Sequence, residues 1–148
     1  MMKFKVEIKG FEKGKRKTID KGKRVLQKSM FKMEELAVDN APFDKGFLRA
    51  NIRTTPKTLS NKYVLTSGAP YSTDLEYGNT PRDVKFVDIE KWVERKGIAT
   101  GQGVYAFTNY VVKKIRSEGV NAHPFMRPAR DQVNAFWTPI FMKEEFGQ

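Results

Sequence analysis

The sequence predicts an α+β fold in which a small antiparallel sheet packs against a long N-terminal helix and a C-terminal helix. Three observations predict it. Polar and apolar residues alternate over residues 3–9, 47–53 and 62–67, the period of half-buried strands. An apolar stripe at spacings of three and four runs through about residues 18–40, and an aromatic one occupies the C-terminal twenty residues. A chain of 148 residues suits one compact domain with a modest core, since about 70% of the unfolded surface is buried at that length. The expected organisation is a single domain over 1–148 with an insertion at about 79–103.

In chain order, residues 3–9 are expected to form a strand with Phe4, Val6 and Ile8 on its core face, followed by Gly10 and Gly14 as punctuation. Ile19, Val25, Leu26, Met30, Met33, Leu36 and Ala37 then place one stripe on a long helix. Its polar face carries Lys21, Lys23, Arg24, Lys28 and Lys32. Asn40 suits a left-handed C-terminal conformation and Pro42 ends the helix. Asp44-Lys45-Gly46 reads as a turn, and Leu48, Ala50 and Ile52 alternate with Phe47, Arg49, Asn51 and Arg53 as a strand with a basic, aromatic exposed face. Pro56 and Ser60-Asn61 connect it to a second strand at 62–67, giving an antiparallel hairpin.

After the bend at Gly68-Ala69-Pro70, Tyr71, Leu75 and Tyr77 fit a short turn of helix or strand. Val87, Ile89, Trp92 and Val93 fit a short amphipathic helix ending at Gly97, and residues 98–103 read as a mobile loop. Val104, Phe107, Val111 and Ile115 recur at helical spacing up to Gly119. Pro128 opens the last helix, with Val133, Phe136, Trp137, Ile140 and Phe141 as its stripe, and Pro139 is expected to bend or break it.

Composition excludes much chemistry. With no cysteine and one histidine, disulfides, thiolate metal sites and imidazole clusters are ruled out. Residues 101–106 match a loose G-x-G-x-x-A pattern, but a helix precedes them where a dinucleotide site needs a strand. Asp74 and Glu76 lie two apart with no His, Cys or second acid cluster beside them, which suits ion pairing better than catalysis. Arg49 can bind a carboxylate in two-pronged fashion, and Glu76 is the acid expected to meet it. His123 precedes a proline and lacks a nucleophile or orienting acid. No cofactor and no enzymatic activity are expected. No apolar stretch reaches the roughly 18 residues of a membrane span, and the lysine-rich start has no secretory signal, so folding in a cytosol is expected.

The formal net charge of +11 is unevenly placed. Residues 1–32 hold twelve Lys or Arg against three acids, whereas residues 33–148 hold sixteen against fourteen. Two readings of Lys21, Arg24, Lys28 and Lys32 follow: an acidic protein partner, or phosphates of non-specifically bound DNA. A basic DNA-binding architectural protein is thus the alternative function, though no helix-turn-helix, finger or stacking motif accompanies the charge.

Three islands carry a family resemblance: Pro42, Asp44, Gly46, Leu48 and Arg49; Pro70, Tyr71, Glu76 and Gly78; and Ala122, Pro124, Phe125, Pro128 and Ala129. In this order the chain resembles the neck, head-tail joining or tail-completion proteins of long-tailed double-stranded DNA phages. Lys45, Asn51, Ser72, Asn79 and Pro139 depart from the family pattern. The resemblance implies a non-enzymatic virion subunit forming a ring with itself, typically a hexamer, between the connector or head-completion protein and the tail terminator or tail-tube protein. It would be assembled in the bacterial host cytoplasm and reside in the virion neck. Ring closure requires two different patches on each copy. The residues expected to meet neighbours are Phe47, Arg49, Arg53, Tyr71, Glu76, Tyr77, Trp92, Phe125 and Arg127.

Overall fold

In the computed structural model the described residues are 2–6, 16–57 and 62–147, with Phe4, Lys5, Val6 and Arg16 described by backbone alone. Ile8, Gly10, Gly14 and the turn residues Ser60 and Asn61 lie outside them. The chain divides into two compact units, Met1–Glu76 with Pro124–Gln148, and Tyr77–His123.

In the first unit, strand β1 (Met2–Val6), helix α1 (Arg16–Asn40), the helical turn α2 (Phe47–Ala50) and strands β2 (Ile52–Lys57) and β3 (Lys62–Ser67) come in chain order. Helix α3 (Ser72–Tyr77) reaches the edge of this unit. The sheet order is β1-β3-β2, antiparallel throughout, with Leu65 opposite both Phe4 and Thr54. The hairpin, the long helix and the fold class therefore stand as the sequence predicts. Met2 is buried and Lys3 exposed, the alternation of a half-buried strand. Along α1, Val25, Leu26, Met30, Met33 and Ala37 are buried at spacings of one, four, three and four, while Ile19 and Leu36 are half-buried. Leu26, Met30, Met33 and Ala37 join one core with Leu48, Ile52, Leu65, Ala69, Phe125, Met126, Ala129 and Val133.

The strand expected from residue 47 begins only at Ile52. Gly46 sits at φ 77°, a left-handed conformation that glycine adopts without a Cβ penalty, and it starts a helical turn instead. The amide of Ala50 donates to the Gly46 carbonyl at 2.9 Å, and the Asn51 side chain caps the turn by donating to the Phe47 carbonyl at 2.7 Å. Leu48 and Ile52 point inward in either conformation because their spacing of four suits a helical turn as well as a strand. Ala50, expected on the core face, is exposed. In β3 both Val64 and Leu65 are buried, so strict alternation fails in this central strand, which is flanked by a neighbour on each side. The outer edge of β2 is closed: Glu34 of α1 accepts the Thr54 amide at 2.6 Å, and Pro56 has no amide to offer.

The chain re-enters this unit through α6 (Met126–Gln132), a π-helical turn (Val133–Trp137) and α7 (Thr138–Phe146). Pro128 is the third residue of α6, where the amide it lacks would have no intrahelical acceptor. Pro139 neither stops the helix nor ends it. A π turn immediately precedes it, and such turns re-route the hydrogen-bond ladder where one donor is missing. The wider turn also splits the expected stripe. Val133 is buried and Trp137 and Phe141 are half-buried, in steps of four, whereas Phe136 and Ile140 face solvent.

The second unit is built from α4 (Phe86–Lys96) and α5 (Gln102–Glu118), joined across Gly97 and Gly101, both at positive φ. Its base is a two-way backbone bridge, with the Asn79 amide 2.9 Å from the Val120 carbonyl and the Val120 amide 3.0 Å from the Asn79 carbonyl. Arg116 Nε donates to Asp83 at 2.6 Å. Val93, Thr108 and Val112 are its buried residues within the two helices. The expected α4 and its Gly97 terminus are present, and α5 starts at Gln102, one residue before the end of the expected loop.

Candidate functional site

The second and third islands of the resemblance meet at one carboxylate. Glu76, in the last turn of α3, is fully buried. Its Oε2 accepts the backbone amides of Phe125 at 2.8 Å and Met126 at 2.9 Å. Its Oε1 accepts the Arg127 amide at 2.9 Å and Arg127 Nε at 3.0 Å. Arg127 also donates from Nη2 to the Glu76 carbonyl at 2.6 Å. The first amides of a helix have no intrahelical acceptor and form the positive end of its dipole, so a carboxylate there is held by hydrogen bonds and field together. No side chain at the α6 N-cap, Phe125, can do this locally, and the cap is supplied from 49 residues away.

This geometry decides what Glu76 can do. Each oxygen already accepts two hydrogen bonds, which fills the roughly four lone-pair sites of a carboxylate. Nothing remains with which to take a proton from substrate or bind a metal. The expected pairing of Glu76 with Arg49 does not occur. Arg49 instead donates from Nε to the Ala41 carbonyl at 2.9 Å and from Nη2 to the Asp39 carbonyl at 3.5 Å, capping the C-terminal end of α1. Its guanidinium lies 5.5 Å from the Phe43 ring centroid. The two charges are consumed at opposite kinds of helix end, a carboxylate at an N-terminus and a cation at a C-terminus.

Around the first island an aromatic surface forms. Phe43, Phe47 and Tyr71 are each exposed, Phe47 by 51%, and the Phe47 and Tyr71 rings stand 6.4 Å apart. Arg53 is exposed beside Ile52, whose carbonyl its Nη1 meets at 2.8 Å. A second apolar surface comes from Phe136, 65% exposed, with Ile140 and Met142. Phe125 is fully buried in the core and presents nothing to a neighbour. Sequence reasoning did not single out Phe43, which becomes prominent only because the Gly46 turn brings its ring under Arg49.

Of the four candidate phosphate contacts, Lys21, Arg24 and Lys28 meet residues of α7, and Lys32 meets Glu35 and the π turn. Arg24 Nε donates to Glu145 at 2.9 Å, and Lys28 Nζ lies 3.0 Å from Glu145 and 3.2 Å from Glu144. Lys32 sits 2.6 Å from Glu35 and 4.5 Å over the Trp137 ring, and Lys21 is 5.6 Å over that of Phe146. Hydrogen bonds from Arg24 and then Lys28 hold the Glu145 carboxyl below its ordinary range, and the bond to Glu145 raises the Lys28 ammonium.

In the second unit, Tyr77 is exposed and Trp92 is half-buried. Trp92 lines an apolar groove of about 440 Å³ with Ile89, Val111, Ile115, Val120 and His123. Among the described residues no group of three His, Asp or Glu side chains could hold a metal ion, and no helix is long and apolar enough to cross a membrane.

No curated protein and no solved structure matches the chain. A family model does match, over residues 8–78, and it is described as Bacteriophage HK97-gp10, putative tail-component. The match takes in the whole of the first two islands, including Gly46, Arg49 and Glu76, and stops before the third. Over residues 8–78, just under half of its length, the chain is thus similar to the HK97-gp10-like tail-component family.

Proposed function

We propose that the protein is a structural subunit of the phage neck, forming a ring, typically hexameric, that joins the DNA-filled head to the tail and works without catalysis. The match to a tail-component family over residues 8–78 carries this reading. Two sets of exposed apolar side chains on the first unit support it, Phe43, Phe47 and Tyr71 in one and Phe136, Ile140 and Met142 in the other. A ring needs such a pair, because a head-to-tail contact uses a different patch on each face of every copy. The saturated hydrogen bonding of Glu76 fits a scaffold role.

The test is a phage that lacks this protein, with its lysate viewed by electron microscopy. Filled heads and complete tails should accumulate unjoined, and supplying the protein in an extract should join them. Particles that join normally without it would overturn the reading.

A further inference from the structure

We infer that residues 77–123 are an inserted module that opens and closes independently of the body formed by residues 1–76 and 124–148. Four observations on different parts of the chain lead there. The Glu76 carboxylate binds the amides of Phe125, Met126 and Arg127, so the residues flanking the insert on its two sides are tied to each other by the body alone. Inside the insert, the Asn79–Val120 bridge closes its base a second time. That closure is tight: Gly78 and Gly119 both sit at positive φ, a Cβ on Gly78 would lie 2.9 Å from the Val120 carbonyl, and one on Gly119 would overlap the Asn79 carbonyl. The core of the body contains no residue between 77 and 123, while Val93 and Val112 are buried outside it. Finally, the family match ends at residue 78, two residues into the insert.

Segments that carry their own buried residues and their own base behave as separate cooperative units in native-state exchange. The body therefore keeps both of its chain crossings fixed whether or not the insert is folded, and the insert can change sequence, or open, without disturbing the tail-component body. The groove lined by Ile89, Trp92, Val111 and Ile115 belongs to the insert alone and opens with it.

Hydrogen exchange on the full-length chain tests this with two substitutions. Val112→Ala, a cavity inside the insert, should accelerate exchange across residues 102–118 by about tenfold or more while residues 25–37 stay within about twofold of wild type. Leu65→Ala, a cavity in the body, should do the reverse. Parallel acceleration of both regions by either variant would show one cooperative unit and overturn the inference.

Discussion

Two carboxylate and cation clusters in the body use the same functional groups to different ends. At Glu76 a carboxylate with no exposed surface accepts four hydrogen bonds, three of them from fixed backbone amides. At Glu145 a carboxylate meets the side chains of Arg24 and Lys28, which are about half exposed at 52% and 41%. Backbone donors are already ordered by the fold, so the first cluster loses little side-chain entropy and is shielded from salt. The second must immobilise long side chains in water, where ion pairs contribute little. Identical chemistry therefore fastens the fold in one place and merely tunes docking of α7 in the other.

The sharpest way to break this comparison is Glu76→Ala. It strips the cap from α6 and leaves the buried amides of Phe125 and Met126 without an acceptor, at about 1–3 kcal/mol each, while the partly exposed Arg127 guanidinium can turn to water. Urea denaturation should show it directly, and a loss below about 1 kcal/mol would mean that the clamp is dispensable. Glu34→Ala comes next, since it leaves the Thr54 edge amide without an acceptor, with an expected loss of about 1–3 kcal/mol.

Phe47→Asp and Phe136→Asp should leave monomer stability within about 0.5 kcal/mol, because both rings are more than half exposed. Each should abolish ring formation measured by native mass spectrometry. A mixture of the two should form dimers through the one intact contact, as a head-to-tail interface requires. Rings formed by either variant alone would exclude that surface.

The smallest effect belongs to the second cluster. Glu145 has a lowered pKa in the folded state, so its contribution is present above the ordinary carboxylate range and is lost as pH falls through the depressed value. Lys28 is raised, so its contribution persists below the ordinary lysine range and is lost as pH climbs through the raised value. The double reversal Lys28→Glu with Glu145→Lys re-forms that pair but opposes the new cation to Arg24 and the new carboxylate to Glu144, so it should lower the melting temperature slightly at neutral pH, an effect that high salt removes. The fourfold reversal of Lys21, Arg24, Lys28 and Lys32 should weaken α7 docking more than it weakens duplex DNA binding. Salt-sensitive duplex binding by wild type, abolished in that variant, would decide for the phosphate reading over the acidic partner.

The helices were legible because their signal is local. Val25, Leu26, Met30, Met33 and Ala37 announce a buried face within about four turns of chain, and Gly97 marks the end of α4. Residues 47–51 were not, since a spacing of four between Leu48 and Ile52 satisfies a turn of helix and a strand equally, and only the conformation of Gly46 decides. The role of Glu76 was hidden for another reason. Its partners are backbone amides 49 to 51 residues away, which leave no side-chain signature beyond Arg127. Motif islands marked the position, but charge pairing assigned it to Arg49. On the basic face of α1 the charge was legible but its local contacts were not, because counting Lys and Arg says nothing about which of them meet Glu144, Glu145, Trp137 or Phe146.

The π turn ahead of Pro139 acts as a frame adjuster for everything that follows it. A residue more or fewer in an α-helix rotates the downstream face by about 100°, so adding one residue beside Ala135, beyond the extra one that the wide turn already takes up, would do what no point substitution can. Trp137, Phe141 and Glu145 would turn away from α1 together, and Phe136 and Ile140 would leave solvent for a different bearing. The C-terminal rod thus reads its length in single residues, and the tolerance of this protein to change there is set by counting before it is set by chemistry.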